Sequence, residues 1–140
     1  MKANTVAKST IIPRYAETDK MGIIHHSVYP IWYEQGRGDW CNLMEYPFHE
    51  MEKVGIALPV INVNVNYKIP SKYGEKLTLF TGIESFSKVK IVFEYELYNE
   101  EGKLINYGTT SHCWTDLNAK PINIAKVHPT LYDLIARGAK

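Results

Sequence analysis

The chain has 140 residues, of which 45% are hydrophobic and 22% are charged, and these proportions predict one globular domain over residues 1–140. Its 16 basic and 15 acidic side chains leave a formal net charge of +1, which gives no broad field to attract nucleic acid or an anionic membrane. No apolar run has the length of a signal peptide or a membrane span, so the expected compartment is the cytoplasm.

The first predicted elements are a short strand and one long helix. Residues 9–15 have a strand pattern, in which Pro13 indicates an edge position or a bulge. Residues 28–44 form the helix, and one face of it carries Trp32, Gly36, Trp40 and Leu43. A glycine costs about 1 kcal/mol in a helix, so packing must stabilise this one. We expect Gly36, on the buried face, to let a sheet approach closely.

Four further strands follow, joined by short connections. Residues 61–67 alternate strictly between apolar and polar side chains, which predicts a half-buried strand that ends before Pro70. The remaining strands are predicted at residues 77–83, 89–97 and 104–115. A hairpin turn at residues 99–102 joins the last two. Successive strands with short turns form an antiparallel meander.

Shorter helices are predicted at residues 47–54, closed by Gly55, and from Pro129 onward. The order of elements indicates an α+β fold in which one long central helix is wrapped by a five- or six-stranded antiparallel sheet. Apolar residues occur on both faces of the strands, as at Ile91 and Val92, so another subunit is expected to cover one face. The predicted assembly is a homodimer or homotetramer whose site lies at the subunit interface.

The stretch richest in reactive groups precedes and begins the long helix, over residues 15–37. It contains the carboxylate of Asp19, a glycine turn at Gly22 and the adjacent His25 and His26. A carboxylate, an imidazole and the free backbone amides of a helix start can attack a carbonyl carbon and hold the oxyanion that forms.

This stretch resembles the signature of the 4-hydroxybenzoyl-CoA thioesterase family of hot-dog-fold enzymes. The positions that carry the resemblance are Tyr15, Glu17, Thr18, Asp19, Gly22, His26, Tyr29, Glu34 and Arg37. His26 makes the chain similar to the acyl-CoA thioesterase branch associated with the bacterial Tol-Pal envelope system, although that branch commonly has Tyr at the position of His25. The resemblance implies a hot-dog fold and hydrolysis of an acyl-CoA to a free acid and coenzyme A, without a metal or a separate cofactor.

The resemblance also implies roles for three residues. Asp19 is the implied catalytic carboxylate, either as a nucleophile on the thioester carbonyl or as a general base for water. Taken alone, an Asp in this loop is more often a turn or cap residue. His26 is implied to orient the carbonyl or to protonate the leaving thiolate. Tyr15 is implied to donate a hydrogen bond within the site, although a core or interface position fits it equally well.

Substrate contacts are expected from the helix start and from surface lysines. The candidate residues around the acyl thioester are Gly22, His25, Ser27, Val28, Tyr29 and Trp32. Backbone N–H groups near residues 26–28 are expected to bind the oxyanion. The candidates for the phosphates of coenzyme A are Lys68, Lys88 and Lys90. Gly36 and Gly38 stand where the similar family has larger residues, so they are expected to give extra room for a bulky acyl group.

Other chemistry is less well supported by the sequence. Cys41 and Cys113 lack the spacing of a metal site and predict no disulfide framework. Glu34 and Arg37, at positions i and i+3, predict an ion pair. Two alternatives remain open: hydrolysis of acyl-carrier-protein thioesters or another hot-dog activity such as dehydration, and a non-catalytic protein that binds acyl thioesters or assembles with an envelope system.

Overall fold

The computed structural model describes residues 1–139, in which five antiparallel strands form one sheet. The strands are β1 (Ala7–Ile11), β2 (Val60–Tyr67), β3 (Leu77–Phe86), β4 (Lys90–Tyr98) and β5 (Leu104–Cys113). Their order across the sheet is β1-β3-β4-β5-β2. β3, β4 and β5 are therefore the central strands, while β1 and β2 are the two edges. The predicted α+β architecture is confirmed, with five strands in the sheet.

The long helix α1 (Tyr29–Leu43) packs on the sheet through the predicted face. A Cβ atom built on Gly36 would lie 2.8 Å from Leu79 Cδ2 and even closer to Thr81 Oγ1, so the glycine sets how closely the helix approaches β3. The close approach is confirmed, and the expected extra acyl room at Gly36 is wrong. Leu43 is also placed wrongly, because it is 56% exposed and Met44 makes the packing contact with Gly138 instead.

Three shorter helices complete the chain: α2 (Phe48–Lys53), α3 (Ile124–Val127) and α4 (Pro129–Ala139). The predicted end of α2 is confirmed, since Gly55 has a φ of +79°, which favours glycine. The start of α4 at Pro129 is also confirmed. α3 was not predicted, and Asn123 caps it by accepting hydrogen bonds from two backbone amides. No helix within residues 1–139 is long and apolar enough to cross a membrane.

The two edge strands differ from their predictions. β1 ends at Ile11 instead of extending through residues 9–15, because Pro13 has no N–H to donate and a 3₁₀ turn begins at Tyr15. β2 was expected to be half-buried, but its apolar residues Ile61 and Val63 are 54% and 45% exposed. The reason is that β2 pairs only with β5, so its other edge and the side chains beside it are uncovered within one chain.

Candidate active site

A groove of about 380 Å³ opens where the end of β2 meets the loop before α1. Its lining residues are Asp19, Met21, Ile23, Ile24, His26, Tyr29, Tyr67, Lys68, Ile69 and Pro70. The structure therefore brings together four of the residues predicted for the site: Asp19, His26, Tyr29 and Lys68. The site prediction did not include the lining residues of the loop (Met21, Ile23 and Ile24), nor those at the end of β2 and just after it (Tyr67, Ile69 and Pro70). The strict alternation of residues 61–67 predicted the strand but carried no sign of what its end would contact.

Asp19 lies in a tight loop that leaves one of its carboxylate oxygens unengaged. Its Oδ1 accepts hydrogen bonds from the amides of Met21 at 2.8 Å and Ile23 at 3.4 Å. Its own amide donates to the Ile23 carbonyl at 2.8 Å. Gly22 has a φ of +79°, so its part in the loop is the turn itself. Within residues 1–139 no donor reaches Oδ2, and that oxygen is available for chemistry.

The two adjacent histidines lie at the start of a 3₁₀ turn, His26–Val28, that leads into α1. His25 Nδ1 accepts a hydrogen bond from the Ser27 amide at 3.2 Å, and the His25 carbonyl accepts one from the Val28 amide at 3.0 Å. His25 is thus the cap of the turn, and its ring stacks on that of His26 with 4.2 Å between centroids. Two of the three amides predicted for the oxyanion already have partners in the free chain.

Two tyrosines form the wall of the groove that faces these histidines. Tyr67 donates its hydroxyl to the His26 carbonyl at 2.8 Å, which ties the end of β2 to the turn before α1. The Tyr29 ring packs edge-on against Tyr67 at 5.6 Å, and its hydroxyl is 2.8 Å from Ser71 Oγ. Burial raises the pKa of Tyr29 above its ordinary value of 10.0, so the hydroxyl is protonated at neutral pH.

A buried carboxylate behind the groove was missed as a functional residue. Glu17 is 8% exposed and accepts hydrogen bonds from Trp32 Nε1 at 3.1 Å and the Arg14 amide at 2.7 Å. Its carbonyl accepts the His25 amide at 2.9 Å. Glu17 therefore anchors both ends of the Asp19 loop. The sequence did offer a signal, because Glu17 is a carboxylate at one of the positions that carry the family resemblance. Only its burial shows that its role is to hold the structure.

The other predicted site residues lie outside the lining of the groove in a single chain. They are Tyr15, Gly22, His25, Ser27, Val28, Trp32, Lys88 and Lys90. The Tyr15 side chain is 76% exposed and packs edge-on against Tyr73 at 5.7 Å. Trp32 is turned away by its bond to Glu17. Lys90 begins β4 and pairs with Cys113, whereas Tyr67 pairs with Asn106 at the other end of β5, roughly 20 Å away at about 3.3 Å per residue.

Neither the histidines nor the cysteines form a metal centre in the described part of the chain. Within residues 1–139 no three His, Cys, Asp or Glu side chains are clustered as metal ligands. Both cysteines are free thiols. Burial raises the pKa of Cys41 to about 12, so this thiol is not a nucleophile at neutral pH.

Known proteins share this fold. Residues 21–106 match the family model described as "Thioesterase superfamily". Over 136 residues the chain is 38% identical to a Bacillus subtilis protein that carries the name of an acyl-CoA thioesterase, with coverage of 96% of this chain and 99% of the relative. It is 26% identical over 92 residues to an acyl-CoA thioester hydrolase of Escherichia coli, covering 66% of this chain and 69% of the relative.

Among solved structures, a DHNA-CoA thioesterase from Staphylococcus aureus superposes with a TM-score of 0.91 at 36% identity, covering 95% of this chain and 90% of that one. The fold is thus that of a hot-dog thioesterase, and the predicted hot-dog fold is confirmed. The chain belongs to the thioesterase superfamily. Its assignment as a thioester hydrolase is confirmed at the level of that family.

Proposed function

We propose that the protein is an acyl-CoA thioesterase that hydrolyses an acyl-CoA to a free acid and coenzyme A. The observation that carries the proposal is the unengaged Oδ2 of Asp19 in a groove that also contains His26. The names of the relatives support the acyl-CoA class, because the proteins from B. subtilis and E. coli are named for acyl-CoA and the one from S. aureus for DHNA-CoA. The reaction needs no metal or further cofactor.

In this mechanism the unengaged Oδ2 of Asp19 is the atom that starts the reaction at the thioester carbonyl. Oδ2 either attacks the carbonyl carbon, giving an acyl-aspartyl anhydride that water then hydrolyses, or removes a proton from a water molecule that attacks directly. In both routes a C–O bond forms and the C–S bond breaks. The thiolate of coenzyme A leaves, and it takes a proton from His26 or from water.

The oxyanion of this reaction needs a donor at the start of α1. The amides of Ser27 and Val28 donate to His25, so the His26 amide is the proposed donor. The positive end of α1, which follows directly, adds to the stabilisation of negative charge there. Because His25 and Tyr67 hold this turn from two sides, the amide is preorganised before the substrate arrives.

The proposed assembly is a homodimer formed through the free edge of β2. Edge strands with exposed apolar residues pair readily with another strand, and β2 carries exposed Val60, Ile61 and Val63. A two-fold axis through this edge pairs β2 with its own copy in the antiparallel sense. Two such dimers then form a homotetramer through the outer face of the sheet, where Phe80 and Tyr98 pack edge-on at 5.8 Å.

In the proposed dimer, the three predicted lysines contribute to one binding site. Lys68 lines the groove of its own chain, whereas Lys88 and Lys90 lie by the start of β4, at the opposite end of the sheet. Antiparallel pairing of β2 with its copy brings that opposite end of one chain toward the groove of the other. We propose that Lys68 of one copy binds the phosphates of coenzyme A together with Lys88 and Lys90 of the second copy.

The proposal extends to compartment and branch. Two free cysteines without a disulfide suit the reducing cytoplasm. Membership of the 4-hydroxybenzoyl-CoA family's Tol-Pal-associated branch rests on the motif around His26, and the 26% identity to the E. coli acyl-CoA thioester hydrolase is compatible with it. The B. subtilis relative is more similar, at 38%.

The experiment is thiol release from a panel of short, long and aromatic acyl-CoAs, with the wild type beside Asp19→Asn. The chain offers a matched control: Asp116 Oδ1 accepts the amides of Asn118 at 2.8 Å and Lys120 at 3.0 Å, the same i+2 and i+4 pattern as Asp19. Asp116→Asn changes an equivalent turn in the loop after β5, outside the lining of the groove. Loss of turnover in Asp19→Asn alone, with ligand binding retained, supports the catalytic role.

Other outcomes favour the alternatives. If both variants lose turnover equally, the role of Asp19 is that of a turn residue. Turnover only with acyl groups on an acyl carrier protein changes the carrier but keeps the reaction, and acyl-carrier-protein thioesterases of Arabidopsis thaliana are 24% and 26% identical to this chain over 111 residues. Binding of acyl-CoA without any turnover leaves a non-catalytic binding protein.

A further inference from the structure

His25 lies outside the lining of the groove, yet it binds the turn that contains His26 through its backbone and its side chain. Its amide donates to the Glu17 carbonyl at 2.9 Å, and its carbonyl accepts from the Val28 amide at 3.0 Å. Its Nδ1 accepts from the Ser27 amide at 3.2 Å. One exposed residue thus determines the shape of the turn from which α1 begins.

The cap fixes which nitrogen of the His25 ring carries the proton. An amide can only donate, so Nδ1 offers its lone pair to the Ser27 N–H, and the proton of the neutral ring lies on Nε2. The Ser27 hydroxyl lies 2.8 Å from the same nitrogen and can point its proton there as well. The ring is therefore held at its Nδ1 edge and cannot rotate without losing these contacts.

The cap also helps to orient the two peptide groups that flank His26. The first of them contains the proposed oxyanion donor, the His26 amide, and it is held because the His25 carbonyl accepts from the Val28 amide. The second is held at both ends, because its N–H donates to His25 Nδ1 and its carbonyl accepts from Tyr67 Oη at 2.8 Å. With both peptide planes fixed, the direction of the His26 N–H is fixed too.

The His25 ring supports the imidazole of His26 as well. The centroids of the two rings are 4.2 Å apart, and their planes are tilted by 31°. Within residues 1–139 the His26 imidazole has no hydrogen-bond or ion-pair partner. The predicted ion pair of Glu34 and Arg37 is confirmed at 4.0 Å, the outer limit of such contacts, but it lies further along α1. Stacking on His25 is thus the contact that restricts this imidazole.

The two groups of His26 that His25 holds act at two stages of the proposed reaction. The amide binds the oxyanion while the thioester carbonyl is attacked, and the imidazole gives its proton to the thiolate as the C–S bond breaks. A donor that is already in place needs no reorganisation in the transition state, whereas a displacement of about 1 Å costs about 100-fold in rate. A residue that fixes both groups affects both stages without touching the substrate.

We propose that His25 is a positioning residue for His26: its Nδ1 cap fixes the His26 amide, and its ring fixes the His26 imidazole. This inference rests on the proposed function, because it gives His25 a part in the same hydrolysis. It predicts that the two contributions can be separated by substitution, since one side chain can supply the cap without the ring and another the ring without the cap.

Two substitutions of His25 make this separation. His25→Asn keeps the cap, because Oδ1 of Asn takes about the place of Nδ1 and Asn is among the best capping residues, but it removes the ring. His25→Phe keeps a ring for the stack but offers no acceptor to the Ser27 amide. His25→Ala removes both. Position 25 is exposed, so none of these variants leaves a cavity in the core.

Two substrates with the same acyl group report on the two stages. One is an acyl-CoA that the wild type hydrolyses, and the other is the thiophenyl ester of the same acid, whose more acidic thiol leaves without a proton from the protein. We expect His25→Phe to lower kcat/KM by about tenfold to 100-fold for both substrates. We expect His25→Asn to lower it by about tenfold for the acyl-CoA only. The loss for the acyl-CoA falls on kcat, because His25 does not line the groove.

His128 provides a matched control for the loss of a histidine cap. Its Nδ1 accepts the Leu131 amide at 3.1 Å at the start of α4, and it lies outside the lining of the groove. His128→Phe therefore loses an equivalent cap and, in addition, the contact of Nε2 with Tyr46 Oη at 3.1 Å. We expect it to lower the free energy of unfolding, measured in urea, at least as much as His25→Phe does, while kcat stays at the wild-type value.

The outcomes distinguish this inference from the proposed function. An active wild type with an equally active His25→Ala overturns the positioning role while hydrolysis of acyl-CoA stands. Equal losses for both substrates in His25→Asn and His25→Phe, or losses that fall on KM instead of kcat, overturn it as well. A wild type that hydrolyses no acyl-CoA overturns both. If His25→Phe does not fold, His25→Gln, whose oxygen lies one bond further from the Ser27 amide, replaces it as the variant without a cap.

Discussion

Glu17 Oε2 accepts a hydrogen bond from Trp32 Nε1 at 3.1 Å, and the two residues are only 8% and 5% exposed. The other carboxylate oxygen, Oε1, accepts the Arg14 amide at 2.7 Å. One buried side chain thus joins the start of the Asp19 loop to the first turn of α1. The loop and the helix that form the groove are held at a fixed distance by groups that do not line the groove themselves.

Glu17→Gln is therefore expected to lower stability and turnover together. The amide of Gln offers one acceptor oxygen where two donors need separate oxygens, so one buried donor loses its partner, at a cost of about 1–3 kcal/mol. Urea unfolding measures the change in free energy, and thiol release measures turnover. Glu75→Gln is the control, because among residues 1–139 Glu75 accepts one amide, that of Lys72 at 2.7 Å. If Glu17→Gln unfolds like the control, Glu17 does not anchor the loop.

Gly36→Ala is expected to destabilise the protein although alanine favours helices. The new Cβ would lie 2.8 Å from Leu79 Cδ2 and would overlap Thr81 Oγ1, both on buried residues of β3. Overpacking of this kind costs about 1–3 kcal/mol, which exceeds the gain of about 1 kcal/mol from helix propensity.

Gly38→Ala is the matched control on the same helix. Its Cβ would meet Phe48 at 3.7 Å, an ordinary contact, so the propensity gain is expected to raise stability. Thermal unfolding of both variants shows directly whether each substitution raises or lowers the stability of the protein. A stabilised Gly36→Ala would mean that α1 can move away from β3 at little cost.

The elements of this fold could be predicted from sequence because their signals are local. Alternation gave the strands, and the 3.6-residue period gave α1, including the close approach at Gly36. The exposure of β2 could not be predicted in this way, since it depends on which strands end at the edges of the sheet. The same limit applies to Leu43, whose exposure depends on how Met44 packs against α4.

The part of the site that lies within one short segment of the sequence could be predicted. Asp19 and His26 are seven residues apart and lie in one groove. Tyr67 reaches the same groove from a distant strand, and its bond to the His26 carbonyl has no sequence signature. A series of side-chain hydrogen bonds runs from Arg37 to His112 and joins α1 to β4 and β5. Only the register of the sheet reveals this series.

Val63→Lys is expected to convert the assembly into monomers and to abolish turnover. Val63 is 45% exposed on the edge strand β2, and a lysine there opposes edge-to-edge pairing of strands. Light scattering at micromolar concentration gives the mass, with Leu117→Lys as the control because Leu117 is 61% exposed in the loop that follows β5, outside β2. A wild-type monomer at that concentration would contradict the proposed assembly. A fully active Val63→Lys monomer would contradict a site shared between subunits.

His112 is expected to make the protein less stable in mild acid. Burial lowers the pKa of His112 from an ordinary value of 6.5 to about 4; the hydrogen bond to the Leu58 carbonyl opposes this shift, and the Arg37 cation makes a smaller contribution in the same direction as burial. The neutral ring fits the series of hydrogen bonds that begins at Arg37, in which Nδ1 donates to the Leu58 carbonyl and Nε2 accepts from Thr110. Between pH 6.5 and pH 4 the unfolded chain therefore binds a proton at this residue that the folded chain does not.

Stability from this residue is complete above about pH 6.5 and is lost as the pH falls toward 4, with a slope that approaches about 1.4 kcal/mol per pH unit. Below that pH both states carry the proton, and the slope disappears. Urea unfolding of the wild type and of His112→Gln at intervals from pH 7 to pH 4 isolates this contribution, because the carboxylates titrate alike in both proteins. The difference between the two curves should shrink as the pH falls through this window. A constant difference would show that His112 titrates in the folded protein as it does in the unfolded chain.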